Sequence, residues 1–341
     1  MRRKIFIASL LILAGLLSWY LAPIPEHEKN GFAMNTIIRI MIRSRDDNAL
    51  NDAYNLLARL DKALSMYNKE SEISRINSFA GSEKFSASPE VIEAVKDSRR
   101  VYDLTDGIFN PLIGAVTRLW KINEADKILP SQESLDAAIK LSAINNLEIG
   151  EDYIYLRENG CVIDLGGIAK GYASKKIADF LKSRGVESGI IDLGGNIYAI
   201  GLKENNESWN IGIRDPLEPS GSPAVVLAVS DTSVITSGNY ERYKIVDGKR
   251  FSHFFDPKTG ESIQSDLLSV TIISPDGSLA DGLATAFMIA GSERAIKLSQ
   301  KISSMPGIIL IRQNSNGAPE ILASSNLKDS IKRTKYPVKM F

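Results

Sequence analysis

The feature that most constrains this chain is a tetrapeptide used twice, Asp164-Leu-Gly-Gly167 and Asp192-Leu-Gly-Gly195. The first copy lies within Cys161-Val-Ile-Asp-Leu-Gly-Gly-Ile-Ala-Lys-Gly-Tyr-Ala173, where a β-branched pair, Val162 and Ile163, runs into the glycines. A helical pattern then continues to about Arg184. The second copy ends another β-rich run, Gly189-Ile-Ile-Asp-Leu-Gly-Gly195. Strand, helix and strand in that order predict one βαβ-like unit with a polar, glycine-bearing tip after each strand. A strand that breaks at glycines and restarts as a helix presents free N–H groups and a positive dipole end to an anion, and Lys170 adds a mobile charge. The same glycines also suit a tight turn for purely steric reasons, and on this stretch alone the two readings stand side by side.

Charge excludes one broad class. Lysine plus arginine and aspartate plus glutamate each number 41 in 341 residues, so no global bias points to nucleic acid. Cys161 is the single cysteine, which rules out internal disulfides, iron–sulfur clusters and cysteine-rich zinc sites. Histidine chemistry falls to His253, because the other histidine, His27, follows directly on an N-terminal apolar segment. That segment, residues 5–22, is uncharged, is preceded by Arg2, Arg3 and Lys4, and is closed by Pro23-Ile-Pro25. It reads as an export signal or, with no clear small-x-small cleavage site, an uncleaved anchor over residues 1–25. The expected location is a bacterial cell envelope, inner-membrane anchored with the body, residues 26–341, facing the periplasm, or secreted there.

Along that body, residues 32–43 predict a first strand, residues 46–66 a one-faced helix, and residues 65–77 a polar segment. Ser88-Pro89-Glu90 starts a helix to about Thr105, with Ser as cap and Pro in the first turn. Residues 112–120 and a run from Ser131 are helical. Residues 209–216 read as a strand into a turn, strands follow at 224–229 and 232–236, then a hairpin around Asp247-Gly248 and a strand over 268–273. Helices over 280–290 and 292–300, a strand over 307–311 and a polar tail complete the chain. The mixture predicts an α+β fold in one composite domain containing the βαβ unit, preceded by the signal or anchor helix.

Some segments carry polar groups a core would not require. His253-Phe-Phe-Asp-Pro-Lys-Thr-Gly260 is either a surface β-turn or a place that sets His, Asp and Lys close together. Asp281 and Thr285 share one face near the start of an apolar helix. They form either a cap with a satisfied threonine or an oxygen-only site for a hard cation such as Mg²⁺ or Ca²⁺.

Taken in order, Met34-Asn-Thr36, Ser65-Met-Tyr67 with residues 71–77, Thr105-Asp-Gly-Ile-Phe-Asn-Pro111, residues 164–173, Asp192-Leu-Gly-Gly-Asn196, Thr236-Ser-Gly-Asn-Tyr240, residues 253–260 and Ala280-Asp-Gly-Leu-Ala-Thr285 resemble the ApbE family, the FAD:protein FMN transferases. The resemblance spans nearly the whole body. It implies Mg²⁺-dependent transfer of FMN from FAD to a Ser/Thr hydroxyl of an acceptor flavoprotein subunit as a phosphoester, releasing AMP. It further implies that Gly167 (through its carbonyl), Asp281 and Thr285 hold the metal. Met34, Tyr67, Ile108, Phe109, Asn110, Asp164, Lys170 and Phe255 match nucleotide contacts. His253 is the implied base for the acceptor hydroxyl, with Asp256 either orienting it or holding a turn. The implied acceptors include subunits of Na⁺-pumping NADH:quinone reductases and related redox complexes; membrane contact runs through the N-terminus. Two alternatives stay open: an Mg²⁺-dependent FAD pyrophosphatase with water as nucleophile, and a non-catalytic periplasmic flavin-binding protein. Asn35 stands where the family usually has glycine, and Thr285 where some members carry a second aspartate.

Overall fold

Runs such as Gly307-Ile-Ile-Leu-Ile311 are apolar at successive positions because the sheet they build is covered on both faces. Ile308 and Leu310 enter one core, and Ile309 and Ile311 enter another on the opposite face. A computed structural model describes residues 22–124, 128–218, 221–302 and 305–341.

Among these residues a nine-stranded sheet runs in the order β1 (Glu26–Ala33), β2 (Thr36–Arg43), β6 (Ser188–Leu193), β7 (Asn196–Gly201), β10 (Thr232–Gly238), β13 (Leu267–Ser274), β14 (Gly307–Gln313), β15 (Pro319–Ala323) and β17 (Val338–Met340), numbered along the chain. Neighbours are antiparallel except β15 and β17. One face carries the helices α1 (Ala49–Leu64), α3 (Pro89–Leu104), α6 (Ala169–Ser183) and α7 (Gly277–Ala290). The other face is covered by a three-stranded sheet, β16 (Ile331–Thr334), β9 (Val225–Val229) and β8 (Trp209–Ile213). Smaller pieces complete the domain: helices α2 (Glu72–Ser78), α4 (Gly114–Trp120), α5 (Gln132–Leu141) and α8 (Ser292–Ser299), the sheet β3 (Phe85–Ser86), β5 (Tyr153–Leu156) and β4 (Leu147–Ile149), and the hairpin β11 (Tyr243–Val246) with β12 (Lys249–Ser252).

The local rules behind several elements are visible in their ends. Ser88 caps α3 by accepting the Val91 N–H, with Pro89 in the first turn, and Ser131 caps α5 through the Ser134 N–H. The hairpin turn Asp247-Gly248 takes positive φ at both residues, as the twist of its strands demands. Helices α6 and α7 cross where both lack a side chain: a Cβ on Gly171 would lie 2.1 Å from the Gly277 carbonyl oxygen. That close approach brings the start of α6 against the first turns of α7.

Four expectations need correction. Residues 161–165 are not a strand, so the βαβ unit does not exist; β6 pairs instead with β2, antiparallel. The first strand is two, β1 and β2, joined by Met34 and Asn35 at φ 49° and 58°. The polar segment 65–77 contains most of α2, capped by the Ser71 hydroxyl. The polar tail, to which the sequence assigns no element, supplies β15, β16 and β17. The signal or anchor expected over residues 1–25 lies mostly outside the described residues, and no helix among the described ones is long and apolar enough to cross a membrane.

Candidate active site

The first Asp-Leu-Gly-Gly segment is held by side chains instead of a sheet. The Asn77 carboxamide, on α2, accepts from the Ile163 N–H at 2.7 Å and donates to the Ile163 carbonyl at 3.0 Å. The Asp164 N–H reaches the Pro111 carbonyl, and the Gly114 N–H donates to the Val162 carbonyl. Every backbone group so paired would otherwise be a buried orphan. The Asp164 carboxylate accepts from the Thr117 hydroxyl at 2.9 Å and from the Gly166 N–H at 2.8 Å. Burial pushes this carboxyl above its ordinary value, while those hydrogen bonds and the nearby Arg118 and Arg242 pull it back.

This segment forms one wall of a cleft of about 400 Å³. Gly167 and Lys170 line it beside Asp281 and Thr285, which α7 presents on one face. Asp281 is 3% exposed. One of its oxygens accepts the Gly171 N–H at 2.8 Å and the other the Asn196 side-chain amide at 3.2 Å. The carboxylate therefore sits at the N-terminus of α6, on part of the N–H array that the glycine turn suggested for a ligand anion. The Thr285 hydroxyl donates to the Gly167 carbonyl at 3.2 Å. A Cβ on Gly167 would lie 3.0 Å from that hydroxyl and 3.2 Å from the Phe109 ring, so the missing side chain leaves the carbonyl accessible to the cleft.

These donors fit a hard divalent cation: one carboxylate, one hydroxyl and one carbonyl, all oxygen. No group of three or more His, Cys, Asp and Glu side chains among the described residues is arranged to hold a metal. A cation here needs further oxygens, and a phosphorylated ligand supplies them.

His253 faces the same cleft. Its Nδ1 lies 3.0 Å from the Arg242 carbonyl, which fixes Nδ1 as the protonated nitrogen and leaves the Nε2 lone pair free. Burial is the main cause of a lowering of its pKa to about 4, and the charges of Arg242 and Lys170 push the same way. The ring is neutral at pH 7. Asp256 makes no hydrogen bond to it among the described residues; its carboxylate accepts the Lys258 N–H at 2.8 Å and its backbone closes the turn to Gly260. Of the two roles expected for Asp256, the structure shows the turn.

The nucleotide-contact candidates divide between this cleft and an adjoining cavity. Ile108, Phe109, Asn110 and Phe255 line the cleft, Met34 lines the neighbour, and Tyr67, Asp164 and Lys170 line both. The Tyr67 ring is 68% exposed, so it offers an open face for stacking. Phe255 stacks on Trp120 with ring centroids 5.6 Å apart, and the Trp120 indole donates to the Gly260 carbonyl. Asp106 and Gly107, both at positive φ, turn the chain so that residues 108–110 reach the cleft. Sequence reasoning missed Thr117 on Asp164, Asn196 on Asp281, and Arg118, Glu241 and Arg242 in the lining. A polar residue directly after the second glycine pair was the one signal pointing to Asn196.

The fold and cleft define an α+β domain whose central cleft gathers a lysine, a histidine and a set of oxygen donors. The particular family follows from comparison: the chain belongs to the ApbE family, whose profile matches residues 34–309. It is 31% identical to a protein of Vibrio cholerae named FAD:protein FMN transferase, over 94% of this chain and 96% of that one. A protein of the same name from Treponema pallidum is 29% identical over 91% and 90%. Among solved structures, the flavin transferase ApbE from Vibrio cholerae superposes with a TM-score of 0.81 at 29% identity, covering 90% of this chain and all of the other. The apo flavinyl transferase ApbE of Pseudomonas stutzeri gives a TM-score of 0.80 at 26% identity, covering 92% of this chain and 99% of the other.

Proposed function

We propose that this transferase moves FMN from FAD to a Ser or Thr hydroxyl of an acceptor protein, forming a phosphoester and releasing AMP. The observation that carries the reading is one cleft in which His253, Lys170 and the oxygens of Gly167, Asp281 and Thr285 converge.

In this reaction the acceptor oxygen attacks the phosphorus on the FMN side of the pyrophosphate. The P–O bond to AMP breaks, AMP leaves with that oxygen, and the hydroxyl proton passes to His253 Nε2. Fixing the Nδ1 proton on the Arg242 carbonyl keeps the ring from presenting its N–H to the nucleophile. Lys170 binds phosphate charge at the mouth of α6, and the Tyr67 face holds a flat ring. Gly167, Asp281 and Thr285 would hold Mg²⁺, which when bound neutralises pyrophosphate charge. We further propose that residues 1–25 tether the protein to the inner membrane with this body in the periplasm, and that acceptors are subunits of membrane redox complexes such as Na⁺-pumping NADH:quinone reductases.

The test is incubation with FAD, Mg²⁺ and a soluble acceptor domain from such a subunit, followed by flavin fluorescence of the denatured acceptor. Covalent label is expected; FMN and AMP without label would make water the nucleophile, and bound FAD without turnover would leave a binding protein. EDTA should abolish labelling, and His253→Ala should slow it by roughly 10²–10⁴-fold. Intact full-length N-terminal peptides from the membrane fraction support the tether; mature chains starting after residue 22 would remove it.

His253 also predicts a pH effect on folding. Its folded value, about 4, lies below the ordinary 6.5, so the unfolded chain takes up the proton first. The wild type should lose on the order of 2 kcal/mol relative to His253→Gln as pH falls through that window, with the difference between the two constant above it. Chemical denaturation at pH 7.5 and pH 4.5 measures this.

A further inference from the structure

We infer that the acceptor protein docks as an extended strand along the free edge of β8, threading its hydroxyl past Gly194 and Gly195 into the cleft. This rests on the transfer reading above and adds to it the route and shape of the second substrate.

A cavity of about 270 Å³ lies beside the three-stranded sheet. It is lined by four consecutive residues of one stretch, Ile211, Gly212, Ile213 and Arg214. Side chains alternate between the faces of a strand, so a cavity that touches every residue in succession runs along the backbone edge and not over a face. That edge is unpaired. In the sheet order β16-β9-β8, β8 bonds only to β9, and no isolated bridge among the described residues involves it. An unpaired edge presents a row of backbone donors and acceptors that an extended polypeptide satisfies, which a small ligand does not.

The far wall of this groove is the turn between β6 and β7. Gly194 and Gly195 line it, and a Cβ at Gly195 would meet nothing within 4 Å, so a chain passing there finds bare backbone. Gly194, Thr236 and Glu241 line both this groove and the cleft that holds His253. The groove is therefore continuous with the reaction site and shares no lining residue with the cavity of Met34, which adjoins the same cleft. That cavity suits the planar donor; the groove suits a strand. The Trp209 indole, bonded to the Ile200 carbonyl at 3.1 Å, ties the start of β8 to the main sheet and holds the edge in place.

The experiment uses the full chain, FAD, Mg²⁺ and the same soluble acceptor domain. Ile197, half-buried, lines the groove but not the cleft, so Ile197→Trp fills the groove and spares the donor site. The expected result is at least a tenfold rise in the KM for acceptor, with FAD affinity and acceptor-independent FAD hydrolysis within twofold of wild type. Amide hydrogen exchange of the wild type gives a second reading that needs no variant: residues 209–214 should be protected by acceptor and not by FAD alone. An unchanged acceptor KM in a variant that binds FAD normally, or exchange at 209–214 that acceptor leaves untouched, overturns the strand-docking site while the transfer reading stands. Absence of acceptor labelling by the wild type overturns the transfer reading itself, and the docking site with it.

Discussion

Two copies of Asp-Leu-Gly-Gly stand in one chain and do different things. At Asp164 neither glycine has positive φ, the preceding residues pair with no strand, and a helix follows. At Asp192 both glycines are left-handed, at φ 69° and 92°, and they close a two-residue hairpin turn between Leu193 and Asn196. The aspartates do mirror each other: each accepts a backbone N–H from the glycines ahead of it, Gly166 at 2.8 Å and Gly195 at 2.7 Å. In the first copy glycine provides room beside Thr285 and Phe109; in the second it provides a backbone conformation that other residues resist. Identical residues thus leave the role of a glycine to be decided by what lies across from it.

Substitutions should separate these roles, and the largest effect belongs to the hairpin. Gly194→Ala combines left-handed backbone with a Cβ 2.0 Å from the Thr36 hydroxyl, and should cost about 3 kcal/mol of stability, read as a clear drop in thermal midpoint. Gly167→Ala meets no backbone strain but crowds the Thr285 hydroxyl at 3.0 Å. It should leave stability within about 1 kcal/mol while lowering transfer roughly tenfold, with part of the loss restored by higher Mg²⁺. Gly195→Ala keeps only the strain, since its Cβ enters open space, and should cost about 1 kcal/mol. Smallest is Asp192→Asn, which retains a side-chain oxygen for the Gly195 N–H and should shift stability by no more than about 0.5 kcal/mol. A larger loss in Gly195→Ala than in Gly194→Ala would break the contrast.

Much of this architecture is legible in the sequence. Helix ends at Ser88 and Ser131, the hairpin at Asp247-Gly248 and the i, i+4 pair Asp281 and Thr285 follow from local rules, because cap, turn and face depend on neighbours in sequence. The expected βαβ unit fails for a reason no local rule carries. Val162 and Ile163 are β-branched and buried, as a strand requires, yet their backbone partners are the Gly114 N–H and a side chain on α2. Asp281 shows the same limit. Its place on the helix is readable; its contact with the Gly171 N–H depends on the glycine crossing of α6 and α7, two segments more than a hundred residues apart in sequence (|i−j| 110).

The Asn77 carboxamide stands in for a strand. By meeting both polar groups of Ile163, it takes the place that a neighbouring strand would occupy. The glycine-bearing loop is consequently free of the sheet's two-residue periodicity, in which any slip must reverse every side chain at once. Its register is set instead by one side chain on α2 and by the backbone contacts at Pro111 and Gly114. A lineage could retune this loop to a new substrate through one short helix, leaving the nine-stranded framework as it is.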